Sequence, residues 1–413
     1  MKLSQTDKGI EWLRLFDVDD QGDAACLIDK IKFVENRMLL SGLKERIIER
    51  AEQVGGKIGL YAEREVVDRY KEVMPLFHQK ETDKGHLRAY GDSLAIPMPT
   101  ELGSEGVIGS LITQLYRERP DVFFHHPAPN IIRDEKIQSF FLVTDLIGSG
   151  GQASSYLSAL WKVASVKSWA SLSWMNFEVI AYSGTERGLA VVQNHRSKPV
   201  VSIVLTCPTI DSCFTKEQAT RIKKLCCKKD PIKSDPVASL GFGGAGALIG
   251  FEHGCPNNAP RILHQNKKNR WSPLFPKRVT LDFGLFFGSQ SNQENLIAQL
   301  KRMNEMRLAN GDYVASSAEG MTLVLVLAAL RKGPRFDEAI SRKTGLTIPE
   351  IKAFLDSLLK WGWIDDQRRL TKDGHSQLNH LRNEATQNKE GVSSDLESIY
   401  YPQQLRVPVE SSS

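Results

Sequence analysis

The residues best suited to chemistry lie in segment 140–152. Residues 140–143 are apolar and read as a buried strand that delivers Asp145 to its carboxyl end. Open α/β sheets bind ligands at that end, where a carboxylate can accept hydrogen bonds from the vicinal hydroxyls of a ribose. The tight turn that follows, before a predicted helix, consists of Ser149, Gly150, Gly151 and Gln152. Amides that converge at such a turn, together with the helix macrodipole, favour a phosphate dianion.

Further polar residues could contact a nucleotide. Asn257 and Asn258 can donate and accept hydrogen bonds at the edge of a base or a ribose. Lys277 and Arg278 can neutralise a phosphate. His253 reads equally well as a structural histidine and as a proton carrier, so both interpretations stay open.

A mainly parallel α/β sheet has to position these residues. The apolar spacing of 9–55 indicates a helical N-terminal segment, and a second helix is predicted from Ala62 to Val73. Short apolar runs then alternate with helical or glycine-bearing stretches, at 94–98, 140–143, 178–182 and 200–205. This alternation is typical of βα units and a parallel sheet. The glycine-dense segment 241–250 is expected to be a flexible loop or a close approach of the backbone.

The end of the chain predicts a second, smaller fold. Ser316 begins a capping box before an apolar helix at 321–330, a short helix follows at 336–343, and Thr347 caps a third helix. A strand, a turn and a return strand follow at 361–371, and this is the winged-helix order. The exposed side of the third helix carries no net charge, so nucleic-acid contact and protein docking both stay open. The candidate nucleic-acid contacts are Arg342, Lys343, Lys352, Arg368 and Arg369.

These patterns predict five parts in the chain. They are a helical N-terminal segment (1–75), an α/β domain (76–290), a linker helix (291–315), a winged-helix domain (316–382) and a flexible tail (383–413) that is polar and serine-rich.

Composition narrows the class of protein. With 41% apolar residues, the chain can bury a full α/β core and a second small domain. No apolar stretch approaches the roughly 20 residues that span a bilayer, and the start lacks a secretion signal, so we expect a cytoplasmic protein without membrane contact. The six cysteines are unevenly placed, which argues against a disulfide framework, and they include no CxxC pair, which argues against a zinc site. The net charge of +5 does not by itself indicate nucleic acid, although basic runs occur at 223–233 and 267–278.

Segment 140–152 resembles the motif with which type I phosphoribosyltransferases bind phosphoribosyl pyrophosphate (PRPP). That motif has four apolar residues, two acidic residues, a short apolar pair and Thr/Ser-Gly-Gly-Thr. Asp145 and the Ser-Gly-Gly turn match it, whereas Thr144 replaces the first acidic residue and Gln152 the last hydroxyl. The resemblance implies catalytic positions at Asp145 and Thr144. The lost carboxylate weakens the case for transfer more than that for phosphate binding, so enzymatic turnover stays open.

Other elements extend the resemblance. Trp12 with Phe16, Cys-Pro-Asn-Asn at 255–258 and Phe-Pro-Lys-Arg at 275–278 look like the phosphoribosyltransferase-like (PRTase-CE type) family of bacterial conflict systems. Members with an added winged helix are similar to effectors that accompany retron reverse transcriptases. The resemblance therefore implies PRPP or a nucleotide as ligand, Mg²⁺ as a candidate cofactor, and a reverse transcriptase with its msDNA or structured RNA as partners. It leaves a homo-oligomer open.

The family fold also implies a pyrophosphate loop between a strand and a helix. Here the strand would be 94–98, the helix 107–117, and the loop residues Glu101, Gly103, Ser104, Glu105 and Gly106. The two glutamates put negative charge where the family usually exposes amides and a basic side chain. The loop is therefore expected to bind another group, or to bind pyrophosphate through Mg²⁺.

Three functions are compatible with this sequence. The first is an effector of an anti-phage, retron-type system that acts on a nucleotide or a ribosyl compound. The second is a transcriptional regulator that senses PRPP and binds DNA through its winged helix. The third, an ordinary salvage transferase, is disfavoured by Thr144 and gives the winged helix no role.

Overall fold

The computed structural model describes residues 2–66, 72–92, 104–233, 235–267, 271–286, 293–309 and 318–387. Its contacts divide the chain into two compact units, Met1–Gly288 and Ser289–Ser413. The first unit is α/β, and the described part of the second is helical apart from one short hairpin. Among the described helices, none is both long and apolar enough to cross a lipid bilayer.

A five-stranded parallel sheet forms the centre of the first unit. The described strands are β1 (Lys32–Val34), β2 (Ile58–Ala62), β3 (His78–Glu81), β4 (Leu87–Tyr90), β5 (Phe123–His125), β6 (Ser139–Ile147), β7 (Asn176–Gly184), β8 (Val200–Thr206) and β9 (Ile249–Phe251). The sheet order is β5-β2-β6-β7-β8, and every pair in it is parallel. Two small pairs lie beside it, parallel β1-β9 and antiparallel β3-β4.

The central strand β6 is buried along almost its whole length, and Asp145 is its one half-buried residue. A strand covered on both faces is expected to read as a continuous apolar run, which is why its sequence was recognisable. The runs predicted at 140–143, 178–182 and 200–205 are confirmed as parts of β6, β7 and β8. The run at 94–98 lies outside the described residues.

Helices cover both faces of the sheet. They are α1 (Asp7–Leu13), α2 (Val18–Ile28), α3 (Asn36–Val54), α4 (Ser104–Glu118), α5 (Pro129–Asp134), α6 (Gly151–Trp161), α7 (Ala164–Ser171), α8 (Glu186–Gln193), α9 (Ile210–Cys213), α10 (Lys216–Lys228), α11 (Pro236–Ser239) and α12 (Arg261–His264). Phe141 points into the core under α3 and α4. Phe140 points to the opposite face, where it stacks on Tyr61 at 4.0 Å and lies near Tyr156 of α6. This alternation is the two-residue period of a strand.

The N-terminal segment contains the expected helices, α1 to α3, but it also supplies strands β1 and β2. The helix predicted from Ala62 to Val73 is wrong for its described residues, 62–66 and 72–73. Ala62 is instead the last residue of β2, which is buried throughout between β5 and β6. The charged residues after it suggested a solvated helix, whereas the apolar run before them forms a short strand covered on both faces.

The second unit has the winged-helix order. Its helices are α13 (Gln293–Arg302), α14 (Met306–Ala309), α15 (Ala318–Arg331), α16 (Asp337–Thr344), α17 (Ile348–Lys360) and α18 (Lys372–Gln387). Thr347 caps α17 in a capping box with Glu350, as predicted, whereas Ser316 lies outside the described residues. Ile364 and Leu370 form an antiparallel bridge, and Asp365 N donates to Arg369 O at 2.9 Å to close the hairpin turn.

Two segments outside the predicted winged helix contribute to this unit. Segment 291–315, predicted as a linker helix, contains α13 and α14, whose Leu300 and Leu308 are fully buried in the core of the unit. Glu305 between them is 8% exposed and pairs with Arg331 and Arg382. Residues 383–387, predicted as tail, continue α18, and the rest of the tail lies outside the described residues. The polar composition of 383–387 did not predict a helix, because α18 is anchored just before this segment, where Arg382 binds Glu305.

Candidate functional site

The turn after β6 presents backbone amides at the start of α6. Gly150 is the N-cap and adopts φ +78°, and a Cβ there would lie 2.5 Å from the carbonyl oxygen of Gly188, so only glycine fits. The first amides of a helix have no acceptor four residues earlier within that helix. Gly151 N donates to Ser149 Oγ at 3.3 Å, which tightens the turn. The amides and the macrodipole of α6 therefore create positive potential at this point.

An open cleft of about 310 Å³ lies in front of this turn. The volume is at the lower end of the range for small-molecule sites. The lining residues are Glu63, Glu65, Val66, Leu146, Ile147, Gly148, Ser149, Gly150, Gly151, Gln152, Ala153, Ser155, Phe242, Asn257 and Asn258. The turn thus faces open space at the carboxyl end of the central strand. We call this space the β6 cleft.

Asp145 lies beside the β6 cleft and is not one of its lining residues. Its Oδ1 accepts from Leu146 N at 2.8 Å, and its Oδ2 is 2.9 Å from His253 Nε2. Because a carboxylate only accepts, His253 Nε2 is the donor. The imidazole stacks on Phe251, with ring centroids 5.1 Å apart, and its Nδ1 is 3.3 Å from Asn36 Oδ1. The sequence predicted that Asp145 would face the ribose directly, whereas the structure shows its carboxylate held by this histidine.

Glu63 is the buried carboxyl group that lines the β6 cleft. It follows β2 directly, is 8% exposed, and accepts a hydrogen bond from Thr144 Oγ1 at 2.6 Å. Burial raises the pKa of Glu63 to about 8, and the charges of Asp145 and Glu105 add to the rise while the Thr144 hydrogen bond opposes it. At neutral pH this group is therefore mainly a neutral acid that can donate a hydrogen bond into the cleft.

Thr144, predicted as a catalytic position, connects two carboxyl groups. Its hydroxyl lies 2.6 Å from Glu63 Oε2 and 3.3 Å from Asp145 Oδ1. Thr144 stands where the motif has an acidic residue. The carboxyl group of Glu63, which directly follows the neighbouring strand β2, lies next to this position instead. The sequence analysis did not predict Glu63 as a site residue because Glu63 falls inside the helix expected from Ala62 to Val73. The signal that could have found it is an acidic residue directly after the apolar run 58–62.

The predicted pyrophosphate loop lies only partly within the described residues. Glu101 and Gly103 fall outside them, and Ser104, Glu105 and Gly106 form the first turn of α4. None of these three lines the β6 cleft, although Glu105 Oε2 lies 3.6 Å from Arg64 Nε and acts electrostatically on Glu63. In the sheet, the described neighbours of β6 are β2 and β7. The segment after β2 therefore provides the loop that borders the cleft.

Asn257 and Asn258 form one wall of the β6 cleft. Asn258 Nδ2 donates to Phe242 O at 3.1 Å, and Phe242 N donates to Asn257 O at 2.8 Å. The Asn258 side chain packs so closely on Gly148 that a Cβ there would lie 2.1 Å from Asn258 Cγ. The glycine-dense segment is the predicted close backbone approach, and it presents Phe242, which is 60% exposed, to the cleft.

Lys277 and Arg278, predicted as base or phosphate contacts, do not line the β6 cleft. Both are exposed on a short 3-10 turn with positive φ, at 53° and 66°. Arg278 Nε donates to the carbonyl of Cys255 at 2.5 Å, and Cys255 N donates back to Arg278 O at 2.8 Å. Arg278 therefore anchors this turn through its hydrogen bonds with Cys255.

The predicted nucleic-acid contacts of the winged helix separate into two groups. Lys343 Nζ donates to the carbonyls of Ala329 and Lys332 at the end of α15, and Arg368 donates to Asp337 Oδ1 at 2.6 Å. These two side chains therefore stabilise the fold of the second unit. Arg342 and Lys352 are half-buried, like Lys343 and Arg368, whereas Arg369 is exposed on the hairpin.

Comparison with protein families agrees with this architecture. The PRTase-CE family model matches residues 10–277, which include every described residue of the β6 cleft. The chain belongs to the PRTase-CE family. A second model, described as wHTH-PRTase associated, matches residues 324–407. A phosphoribosyltransferase-like domain followed by a winged helix is thereby confirmed. A comparison with curated proteins finds no match.

Glu63 and Asp145 of this PRTase-CE domain do not fit as ligands of a protein-held Mg²⁺. Mg²⁺ prefers ionised carboxylates and bound water. Glu63 favours its neutral form, and Asp145 is bound to His253. Among the described residues, no group of three or more His, Cys, Asp or Glu could hold a metal ion.

Proposed function

We propose that the PRTase-CE domain binds the 5-phosphate of a ribosyl ligand, either PRPP or a nucleotide, in the β6 cleft. The observation that carries this proposal is the open turn at residues 149–152, whose amides stand at the N-terminus of α6. Orphan amides and the helix dipole together stabilise an anion at such a position. A phosphate there would extend its ribose toward the wall formed by Asn257 and Asn258.

The rest of the cleft supports a nucleoside-like ligand. The exposed ring of Phe242 can stack on a base, and the exposed amide of Asn257 can pair with a base or ribose edge. Glu63, as a neutral acid, can donate to a ligand oxygen without repelling the phosphate. The carboxyl group of Asp145 lies beside the site, where it could stabilise an oxocarbenium-like ribose if a ribosyl bond is broken.

We further propose that the chain is the effector of a retron-type anti-phage system. Support comes from the joint presence of a PRTase-CE domain and its associated winged helix, an arrangement similar to that of retron effectors. The winged helix and the basic surfaces would hold the protein with a reverse transcriptase and its msDNA. Release during infection would then allow the β6 cleft to act on its ligand.

Asp145→Ala tests this role in cells that carry the chain with its neighbouring genes. We expect the variant to lose protection, so that phage plate as on cells without the system, because the carboxylate beside the ribose is gone. Asp83→Ala, which removes an exposed carboxylate from the β3-β4 turn, is the matched control and should protect normally. Full protection by a folded Asp145→Ala protein would eliminate the effector proposal. If the protein instead bound a specific duplex operator, and PRPP altered that binding, the chain would be a transcriptional regulator.

A further inference from the structure

A second cleft lies at the opposite edge of the same sheet. Its volume is about 340 Å³, and it is lined by Trp161, Lys167, Ala170, Ser171, Met175, Asn176, Phe177, Arg196, Ser197 and Lys198. The lining residue Asn176 is the first residue of β7, so this cleft lies at the amino end of that strand. The β6 cleft lies at the carboxyl end of β6, which runs parallel to β7. We call this second space the amino-edge cleft. It is separate from the ribosyl site and from the basic runs at 223–233 and 267–278.

The amino-edge cleft is positively charged. Lys167, Arg196 and Lys198 are all exposed, and no Asp or Glu occurs among its described lining residues. Within the described parts of the chain, none of the three cations forms an ion pair with a carboxylate. Three like charges around one concave surface favour a partner with repeated negative charges.

The loop that carries two of these cations is held in a fixed shape. Ser197 N donates to His195 Nδ1 at 3.2 Å, and His195 Nε2 lies 3.0 Å from Ser158 Oγ on α6. Burial lowers the pKa of His195, and the charge of Arg196 adds to this, so the ring is neutral and can accept at Nδ1. Lys198 N donates to His195 O at 2.8 Å with φ +48°. The backbone that carries Arg196 and Lys198 is therefore fixed before any ligand binds, which lowers the entropy cost of binding.

Aromatic side chains accompany the charges. Trp161 is half-buried and meets Phe177 edge-on, with centroids 5.9 Å apart. Trp174 precedes the lining residue Met175 and is 63% exposed. Solvent-accessible indole faces beside a cationic groove are the combination with which proteins bind unpaired bases and their phosphates.

We propose that the amino-edge cleft binds a single-stranded segment of nucleic acid, with phosphates on Lys167, Arg196 and Lys198 and bases on the indoles of Trp161 and Trp174. A duplex hides its base faces inside the stack, so it could use the charges but not the aromatic rings. An acidic peptide would likewise leave the rings unused. The single strand is the partner that engages both features.

The test compares two triple charge reversals in the full-length protein. The first is Lys167→Glu, Arg196→Glu and Lys198→Glu. The matched control, Lys84→Glu, Lys216→Glu and Lys332→Glu, changes the net charge equally at exposed positions elsewhere. Binding of a labelled oligothymidylate of about 16 nucleotides is followed by fluorescence anisotropy at several salt concentrations.

We expect the cleft variant to bind at least about tenfold more weakly, with a salt dependence shallower by about two released counterions. The control should stay within about twofold of wild type. Trp174→Ala should weaken binding and leave the salt dependence unchanged, because it removes stacking and no charge. Equal losses in the two triple variants would overturn the proposal. Unchanged affinity of the cleft variant for the oligothymidylate would also overturn it. So would a wild-type protein that binds duplex DNA or polyglutamate more tightly than the single strand, if the cleft variant loses that tighter binding.

Discussion

Replacing Glu63 by Gln is expected to stabilise the first unit at neutral and alkaline pH. The carboxyl group titrates near 4.5 in an unfolded chain and at about 8 in the fold, because burial disfavours its charged form. Between these values the folded state holds the proton more tightly than the unfolded state, so the free energy of unfolding of the wild type falls as the pH rises. Gln keeps an acceptor for Thr144 and does not ionise. The variant should therefore be more stable by roughly 5 kcal/mol well above pH 8 and by little at pH 4.

Hydrogen exchange measured in β2 and β6 at increasing urea concentrations, at pH 5 and pH 9, checks this prediction within the first unit. Glu65→Gln is the matched control, since it removes an exposed carboxylate two residues away on the same cleft. The control should follow the wild type at both pH values. If Glu63→Gln were no more stable than wild type at pH 9, the carboxyl group would not be the buried acid described above.

Gly151→Asp is expected to abolish binding of ribose 5-phosphate while leaving the fold intact. The nearest atoms to a Cβ at this position are Ser149 Oγ at 3.5 Å and Phe242 Cε1 at 4.0 Å, so a side chain fits. An acidic residue is also favourable in the first turn of a helix. Its carboxylate would occupy the positive potential that the phosphate needs and would repel the ligand. A loss of at least about 100-fold, or about 2.7 kcal/mol, is expected.

Isothermal titration calorimetry with ribose 5-phosphate measures this effect. Gly151→Asn is the matched control, because it has almost the same size and no charge, and its affinity should remain within about tenfold of wild type. Equal affinities for the Asp and Asn variants would mean that the phosphate does not bind at the N-terminus of α6.

The parts of this structure that could be predicted are those specified by neighbouring residues. The strand and turn at 140–152 follow from a continuous apolar run and a Ser-Gly-Gly sequence, and α17 follows from the Thr347 capping box. β2 was missed because five apolar residues before a charged segment suit a strand and a helix end equally. Because a helix was expected from Ala62 onward, Glu63 could not be placed at the end of a strand beside the cleft.

Other features depend on contacts between residues that are distant in the chain. His253 and Asp145 are 108 residues apart, and no local pattern indicates that one would hold the other. Phe242 reaches the cleft only because glycines let its segment approach Ser149. Lys343 and Arg368 looked like phosphate contacts in the sequence, but neighbouring carbonyls and a carboxylate bind them within the unit. Charge alone does not reveal such internal partners.

A crystal structure of the protein with ribose 5-phosphate would show whether the β6 cleft is the ribosyl site. We expect the phosphate to lie against the amides of residues 149–152, with the ribose between Glu63 and the wall formed by Asn257 and Asn258. A well-occupied ligand at any other place, or an empty β6 cleft at a ligand concentration that saturates the protein in solution, would contradict it.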